Sequence, residues 1–205
     1  MNIEVKNSIK PIDYNKAIKI LEQRVEDVIL GKKNEFLWIL EHNKVYTSGL
    51  RTKDNEILNK SIKVVRTKRG GKATVHSCGQ KVIYFVLNLN RRKKDIRKLV
   101  TNVEKCIIKS LKYYNVKSFT DKNNIGIWVK DRDEEKKIAA IGIRVKKWIA
   151  YHGFSINVSN NLKYYKNIIP CGIKDRGVIS LKEIGVKKYK NINKIIIKNF
   201  LSTFL

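Results

Sequence analysis

Between residues 125 and 158 three apolar segments follow one another almost without interruption, and no other stretch of the 205-residue chain restricts its fold as much. Residues 125–129, 138–144 and 148–158 are rich in β-branched and aromatic side chains and read as successive strands. Only the basic turn Val145-Lys146-Lys147 separates the last two. A connection that short cannot carry a crossover, so the strands must pair antiparallel. Residues 35–40, 62–65 and 82–87 read as further strands, the last an interior one. Helical spacing marks Tyr14, Ile18, Leu21, Val25 and Val28, with Asp13 as N-cap and Gly31 as terminator. It also marks Ile96, Leu99, Val100, Val103, Ile107 and Leu111, capped at Asp95 and ending around Asn115. A short helix is expected over 162–165 and a C-terminal one over 192–200. Hairpins mixed with helices, without βαβ alternation, predict an α+β fold.

The length fits a single domain spanning 1–205, with no linker, repeat or long uncharged apolar run to divide it. Residues 1–6 lack the apolar core of a signal peptide, so a soluble, cytoplasmic protein without membrane association is expected. Cys78, Cys106 and Cys171 are spaced too widely and irregularly for a disulfide framework or a metal site. No metal is expected, and Cys106, beside a helical stripe, is expected to pack in the core. The net charge of +27 is the mark of a polyanion binder. Yet lysine far outnumbers arginine, the charge is spread along the whole chain, and no basic helix or interleaved aromatic motif marks a groove-reading element. Composition bias explains the charge better than nucleic acid does.

Two residues point to covalent chemistry. Cys171 lies between Pro170, one of only two prolines, and Gly172, so its backbone is stiff on one side and permissive on the other. Lys137 lies at the edge of the apolar run Ile138-Ala139-Ala140-Ile141, where an inward ammonium is costly unless it is used. A thiol beside an amine forms a nucleophile and its activator, because the ammonium favours thiolate and the neutral amine carries protons. Each of the three histidines falls near a strand–loop junction. His42 and His152 fit structural hydrogen bonds or a supporting role. His76 is the better functional candidate, because Gly70-Gly71 permits close backbone approach and leaves N–H groups for an acyl oxygen.

The ordered motifs Arg69-Gly70-Gly71-Lys72-Ala73-Thr74-Val75-His76 with Gly79-Gln80, then Lys137 to Gly142, then His152-Gly153-Phe154, then Pro170-Cys171-Gly172 resemble the lipoate-biosynthesis octanoyltransferases. The resemblance implies a biotin/lipoate-ligase-like catalytic domain with mixed and antiparallel sheets flanked by helices. It implies that Cys171 takes octanoyl from octanoyl-acyl carrier protein as a thioester and passes it to a lysine of a lipoyl domain. Such domains occur in 2-oxoacid dehydrogenase complexes and the glycine cleavage H protein. Lys137 would tune the thiol and relay protons. Arg69 to His76, Ala140-Ile141-Gly142 and Gly153-Phe154-Ser155 would line the acyl site, with no cofactor beyond the donor's own phosphopantetheine thioester.

The chain departs from the family pattern at several points. His76-Ser77-Cys78-Gly79-Gln80 replaces His-Gly-Pro-Gly-Gln, losing a rigidifying proline and gaining a thiol that, if the two loops met, could cross-link to Cys171. Asn43-Lys44 replaces two prolines, and Val75 an aromatic of the pocket wall. Two alternatives remain: an ATP-dependent lipoate or octanoate ligase of the same fold, and a basic nucleic-acid-binding module. The ligases usually carry a longer glycine run and an Asp after the His, where this chain has Ser77.

Overall fold

The computed structural model describes residues 2–173 and 175–205; Met1 of the start segment lies outside them. Seven strands form one mixed sheet. In chain order they are β1 (Ile3–Asn7), β2 (Glu35–Leu40), β6 (Gln80–Asn88), β7 (Phe119–Thr120), β8 (Ile127–Asp131), β9 (Glu134–Lys146) and β10 (Ile149–Asn157). They lie side by side as β1-β2-β6-β10-β9-β8-β7, with β1 parallel to β2 and every other pair antiparallel. A smaller sheet, β4-β3-β5, is built from β3 (Val45–Ser48), β4 (Val64–Arg66) and β5 (Thr74–His76).

The sheet is covered on both faces, which is why its inner strands read as unbroken apolar runs. On β2, Phe36, Trp38 and Leu40 pack with Leu21, Val25 and Val28 of helix α1 (Tyr14–Ile29). Leu37 and Ile39 point the other way, into a core shared with α2 (Ile96–Lys112) and α4 (Ile192–Phe204). Strand β6 divides likewise, Val82, Tyr84 and Val86 against Ile83, Phe85 and Leu87. The helix signals hold: the carboxylates of Asp13 and Asp95 accept from Lys16 N at 3.0 Å and Lys98 N at 2.9 Å. Cys106 lies in this core, and burial pushes its thiol up to about 12.

The β9–β10 hairpin is antiparallel as expected, but β9 runs to Lys146 and the turn falls on Lys147 and Trp148, both with positive φ. The 62–65 strand sits slightly later, as β4. Strands β1, β3, β5 and β7 and the four-residue helix α3 (Leu181–Ile184) carry no sequence signal strong enough to predict. Among the described residues no helix is long and apolar enough to cross a membrane.

Candidate active site

A cavity of about 360 Å³ opens between the small sheet, β9, β10 and the Cys171 turn, and both Cys171 and Lys137 line it. Lys137 is aimed there by an irregularity. Ile127 pairs with Ala139 but Trp128 pairs with Lys137, so β9 carries one extra residue at this point, a bulge of the kind that re-aims a side chain. The Lys137 backbone is held on its other edge by Gly177 O and Ile179 N, at 2.9 and 3.0 Å. Its side chain is buried, donates to Ile125 O at 3.0 Å and lies 4.7 Å from the Trp128 ring centre. Among the described residues no carboxylate pairs with it.

Cys171 sits in a tight turn, Pro170–Gly172, with a left-handed φ of 58° that L-residues adopt only under constraint. The constraint comes from two neighbours. Cys171 N donates to Ala73 O at 3.2 Å, and Ile169 N donates to Glu56 O at 2.8 Å. The Glu56 carboxylate also pairs with Lys72 at 2.5 Å, and that ammonium packs directly over Gly172, whose left-handed φ of 72° suits glycine. The thiol is thereby presented at the cavity from a turn fixed on both sides.

The glycine loop serves differently from expectation. Gly70 N–H is taken by Ile143 O at 3.3 Å, and a Cβ on Gly70 would come within 2.8 Å of that same carbonyl. The glycine is there so that the loop can lie flat on β9. Arg69 is thus carried inside, donating to Thr47 O and Oγ1 at 3.1 and 2.9 Å and to Gly70 O at 3.1 Å, with no partner for Nε among the described residues. Among the described residues no Asp or Glu lines the cavity, whereas Arg51, Lys72 and the buried Arg69 and Lys137 do, so its potential is positive. That potential suits a developing oxyanion.

All three histidines converge beside the cavity. His42, fully buried, must donate from Nδ1 to Ile12 O at 2.7 Å, so Nε2 accepts from the Tyr84 hydroxyl at 2.9 Å. Its structural reading holds. His76 bonds Gln80 Oε1 through Nδ1 at 2.6 Å, and burial pushes its pKa down to about 3. His152 lies within β10, not at a strand end, and its Nδ1 has no partner among the described residues. Ala150, Phe154 and Ile156 face α2 and α4, so strand alternation would send His152 there too. A left-handed φ of 65° turns it instead to the cavity side, against Tyr151 and Tyr84. Burial holds it neutral as well, at about 3.

The next residue completes this kink: Gly153 has φ 156°, and a Cβ there would collide with Ile83 O of β6. We expect Gly153→Ala to cost about 3 kcal/mol, seen as a Tm loss of roughly 10 °C. A variant within about 1 kcal/mol of wild type would mean that β6 and β10 separate freely.

Of the segments expected to line the cavity, Arg69, Gly71, Lys72, Thr74, His76, Ala140, Ile141, Gly142, Gly153, Phe154 and Ser155 do. Gly70, Ala73 and Val75 do not. Alternation along β5 points Thr74 and His76 to the cavity and Ala73 and Val75 into a small cluster with Tyr46, Tyr165 and Ile168. The lost aromatic at Val75 is therefore not a change of the cavity wall. The loop without proline is pinned by other means, Gly79 N donating to Glu41 Oε2 at 2.7 Å and Ser159 N to Gly79 O at 2.9 Å. Cys78 Sγ donates to His42 O at 3.7 Å in the turn after β5, whereas Cys171 N donates to Ala73 O just before that strand, so the two cysteines are held at opposite ends of β5. Tyr14, Arg51, Tyr84 and Asn124 also line the cavity. Both tyrosines fell at apolar positions of α1 and β6 and so read as core alone.

Comparison with known proteins identifies this architecture. The family model described as the lipoyl protein ligase A/B catalytic domain matches residues 13–201. The chain belongs to that family, and it is an acyltransferase. An octanoyltransferase of Ehrlichia chaffeensis is 42% identical over 205 residues, covering 98% of this chain and 96% of the relative. That of Wolbachia pipientis from Culex pipiens is 43% identical over 176 residues, 85% of this chain and 86% of the relative. The resemblance read from the motifs is borne out. Among solved structures, lipoate-protein ligase A bound with ATP superposes with TM-score 0.74 at 15% identity, over 98% of this chain and 85% of that one. The bipartite lipoate protein ligase of Thermoplasma acidophilum gives 0.72 at 14%, over 98% and 84%. These two establish the shared fold.

Proposed function

We propose that this enzyme moves octanoyl from octanoyl-acyl carrier protein to a lysine of a lipoyl domain through a Cys171 thioester, with Lys137 as acid and base. One observation carries the reading: Cys171 and Lys137 line one cavity, in a chain whose relatives are octanoyltransferases. The cavity falls within the range of about 300–1,000 Å³ usual for small ligands.

The Cys171 thiolate attacks the thioester carbonyl, the tetrahedral oxyanion is stabilised by the positive cavity, and the carbon–sulfur bond to the carrier breaks. The departing pantetheine sulfur takes its proton from the Lys137 ammonium, leaving that amine neutral. The acceptor lysine then attacks the acyl-enzyme, gives its proton to Lys137, and expels the Cys171 thiolate. The enzyme returns to its starting state. Because the donor arrives as a thioester, neither nucleotide nor metal is needed. Lipoyl domains of 2-oxoacid dehydrogenase complexes and glycine cleavage H protein are the acceptors, and the cytoplasm is the site.

The test is reconstitution from octanoyl-acyl carrier protein and a lipoyl domain with ATP omitted. Modification of the domain is expected. A strict requirement for ATP with free octanoate would make the protein a ligase instead. The net charge of +27 bears on the same assay. An acidic carrier protein is drawn in by long-range attraction, so raising salt is expected to increase the donor KM more than it lowers kcat. A KM unchanged between low and high ionic strength removes the basic surface from the mechanism.

A further inference from the structure

A chain of buried amides fixes the hydrogen on His76. Asn157 Nδ2 donates to Ile179 O at 3.1 Å, and a carbonyl only accepts, so Asn157 Oδ1 is the atom turned toward Gln80. Oδ1 accepts from Gln80 Nε2 at 2.9 Å. Gln80 Nε2 is thereby set as the donor, reaching the Tyr165 hydroxyl at 3.0 Å as well, and Gln80 Oε1 faces His76 Nδ1 at 2.6 Å. An amide oxygen donates nothing, so the hydrogen of that bond belongs to Nδ1. Gln80, Asn157 and His76 are 0%, 5% and 7% exposed, so water does not stand in for any of these partners. His76 Nε2 keeps its lone pair, has no hydrogen bond among the described residues, and belongs to a ring that lines the cavity.

We propose that Gln80 is a positioning residue that holds His76 as the Nδ1–H tautomer, so that Nε2 meets the acyl cavity only as a hydrogen-bond acceptor. This deepens the proposed function and rests on it, since the acceptor amine is taken to enter the same cavity. A ring offering a lone pair accepts an amine N–H and turns the amine's own lone pair toward the acyl carbon. The opposite tautomer presents a hydrogen to a hydrogen. Burial above all keeps the ring neutral, and the neighbouring His42, with ring centres 5.7 Å away, and the Arg69 guanidinium oppose a second positive charge there, while Tyr14 stacks on it at 6.2 Å. The proton released in the reaction still goes to Lys137.

Nitrogen-15 NMR of the ring nitrogens tests this without substrate, His76 being assigned by comparison with His76→Asn. The wild-type protein is expected to show a protonated Nδ1 and a bare Nε2 at neutral pH; a protonated Nε2 overturns the proposal. Gln80→Glu should place a second proton on the ring at neutral pH, and Gln80→Met should release it to the Nε2–H form. Each should lower kcat about 10- to 100-fold while the donor KM changes less than about twofold. If both variants keep the wild-type ring pattern, or change it without changing kcat, Gln80 is only structural. A wild-type protein that transfers no acyl group overturns the proposed function, whereas a wrong tautomer in an active enzyme overturns this inference alone.

Discussion

Cys171→Ser is expected to abolish the acyl-enzyme and to lower transfer on the order of 10⁴- to 10⁶-fold, the scale on which loss of a nucleophile is felt. A serine hydroxyl in the same turn is far less acidic than a thiol, and Lys137 does not generate an alkoxide near neutral pH. The Pro170–Gly172 turn is held by main-chain bonds from Cys171 and Ile169, so exchanging sulfur for oxygen leaves it intact and the loss falls on chemistry. Mass spectrometry after mixing with donor checks the missing intermediate, and a thermal melt matching wild type checks the fold. Transfer surviving within about tenfold would move the nucleophile away from Cys171.

Lys137→Arg separates the two tasks given to Lys137. A guanidinium in that place still provides a positive charge for the thiolate, but its pKa above about 12 prevents it from accepting a proton. Acyl-enzyme is therefore expected to form and accumulate, while delivery to the lipoyl domain slows by about 10²- to 10⁴-fold, the usual contribution of a general base. Lys137→Ala should slow both steps. Rapid-quench measurement of each half-reaction distinguishes these patterns. If Lys137→Arg delivers octanoate at the wild-type rate, Lys137 acts by charge alone, and the proton goes to another base, with His76 Nε2 the first candidate.

What the sequence reveals about this fold follows from how locally each part is determined. Helices α1 and α2 are legible because caps and an apolar face are written within about four turns of chain. Strands β2 and β6 are legible because burial on both faces leaves no polar alternation. Strands β1, β3, β5 and β7 hold two to five residues each, too few to show a period, and the partners of β1, β3 and β5 lie far away in sequence, so their identity depends on contacts that no local pattern records.

The site divides the same way. Cys171 and Lys137 stand out because a proline–cysteine–glycine turn and a lysine beside an apolar run are unusual chemistry in plain view. Two local conformations complete the geometry and are not visible there. The bulge in β9 turns Lys137 toward Ile125 O, and the positive φ of His152 reverses the alternation of β10. Gly70 was legible as a point of close approach, but what approaches is the β9 backbone, which consumes the N–H that seemed free for a ligand. Gln80 sits one residue after a turn glycine and reads as part of that turn until Asn157 and Tyr165 are seen around it.

The central claim is that Cys171 carries the acyl group between donor and acceptor. Its most direct test is to mix the wild-type protein with octanoyl-acyl carrier protein, quench in acid, and read the intact mass followed by peptide mapping. The account predicts one octanoyl group per chain, on the peptide containing Cys171, labile to hydroxylamine and discharged when lipoyl domain is added before the quench. A protein that modifies the lipoyl domain while remaining unacylated, or that bears the acyl group on Cys78 or Cys106, contradicts it.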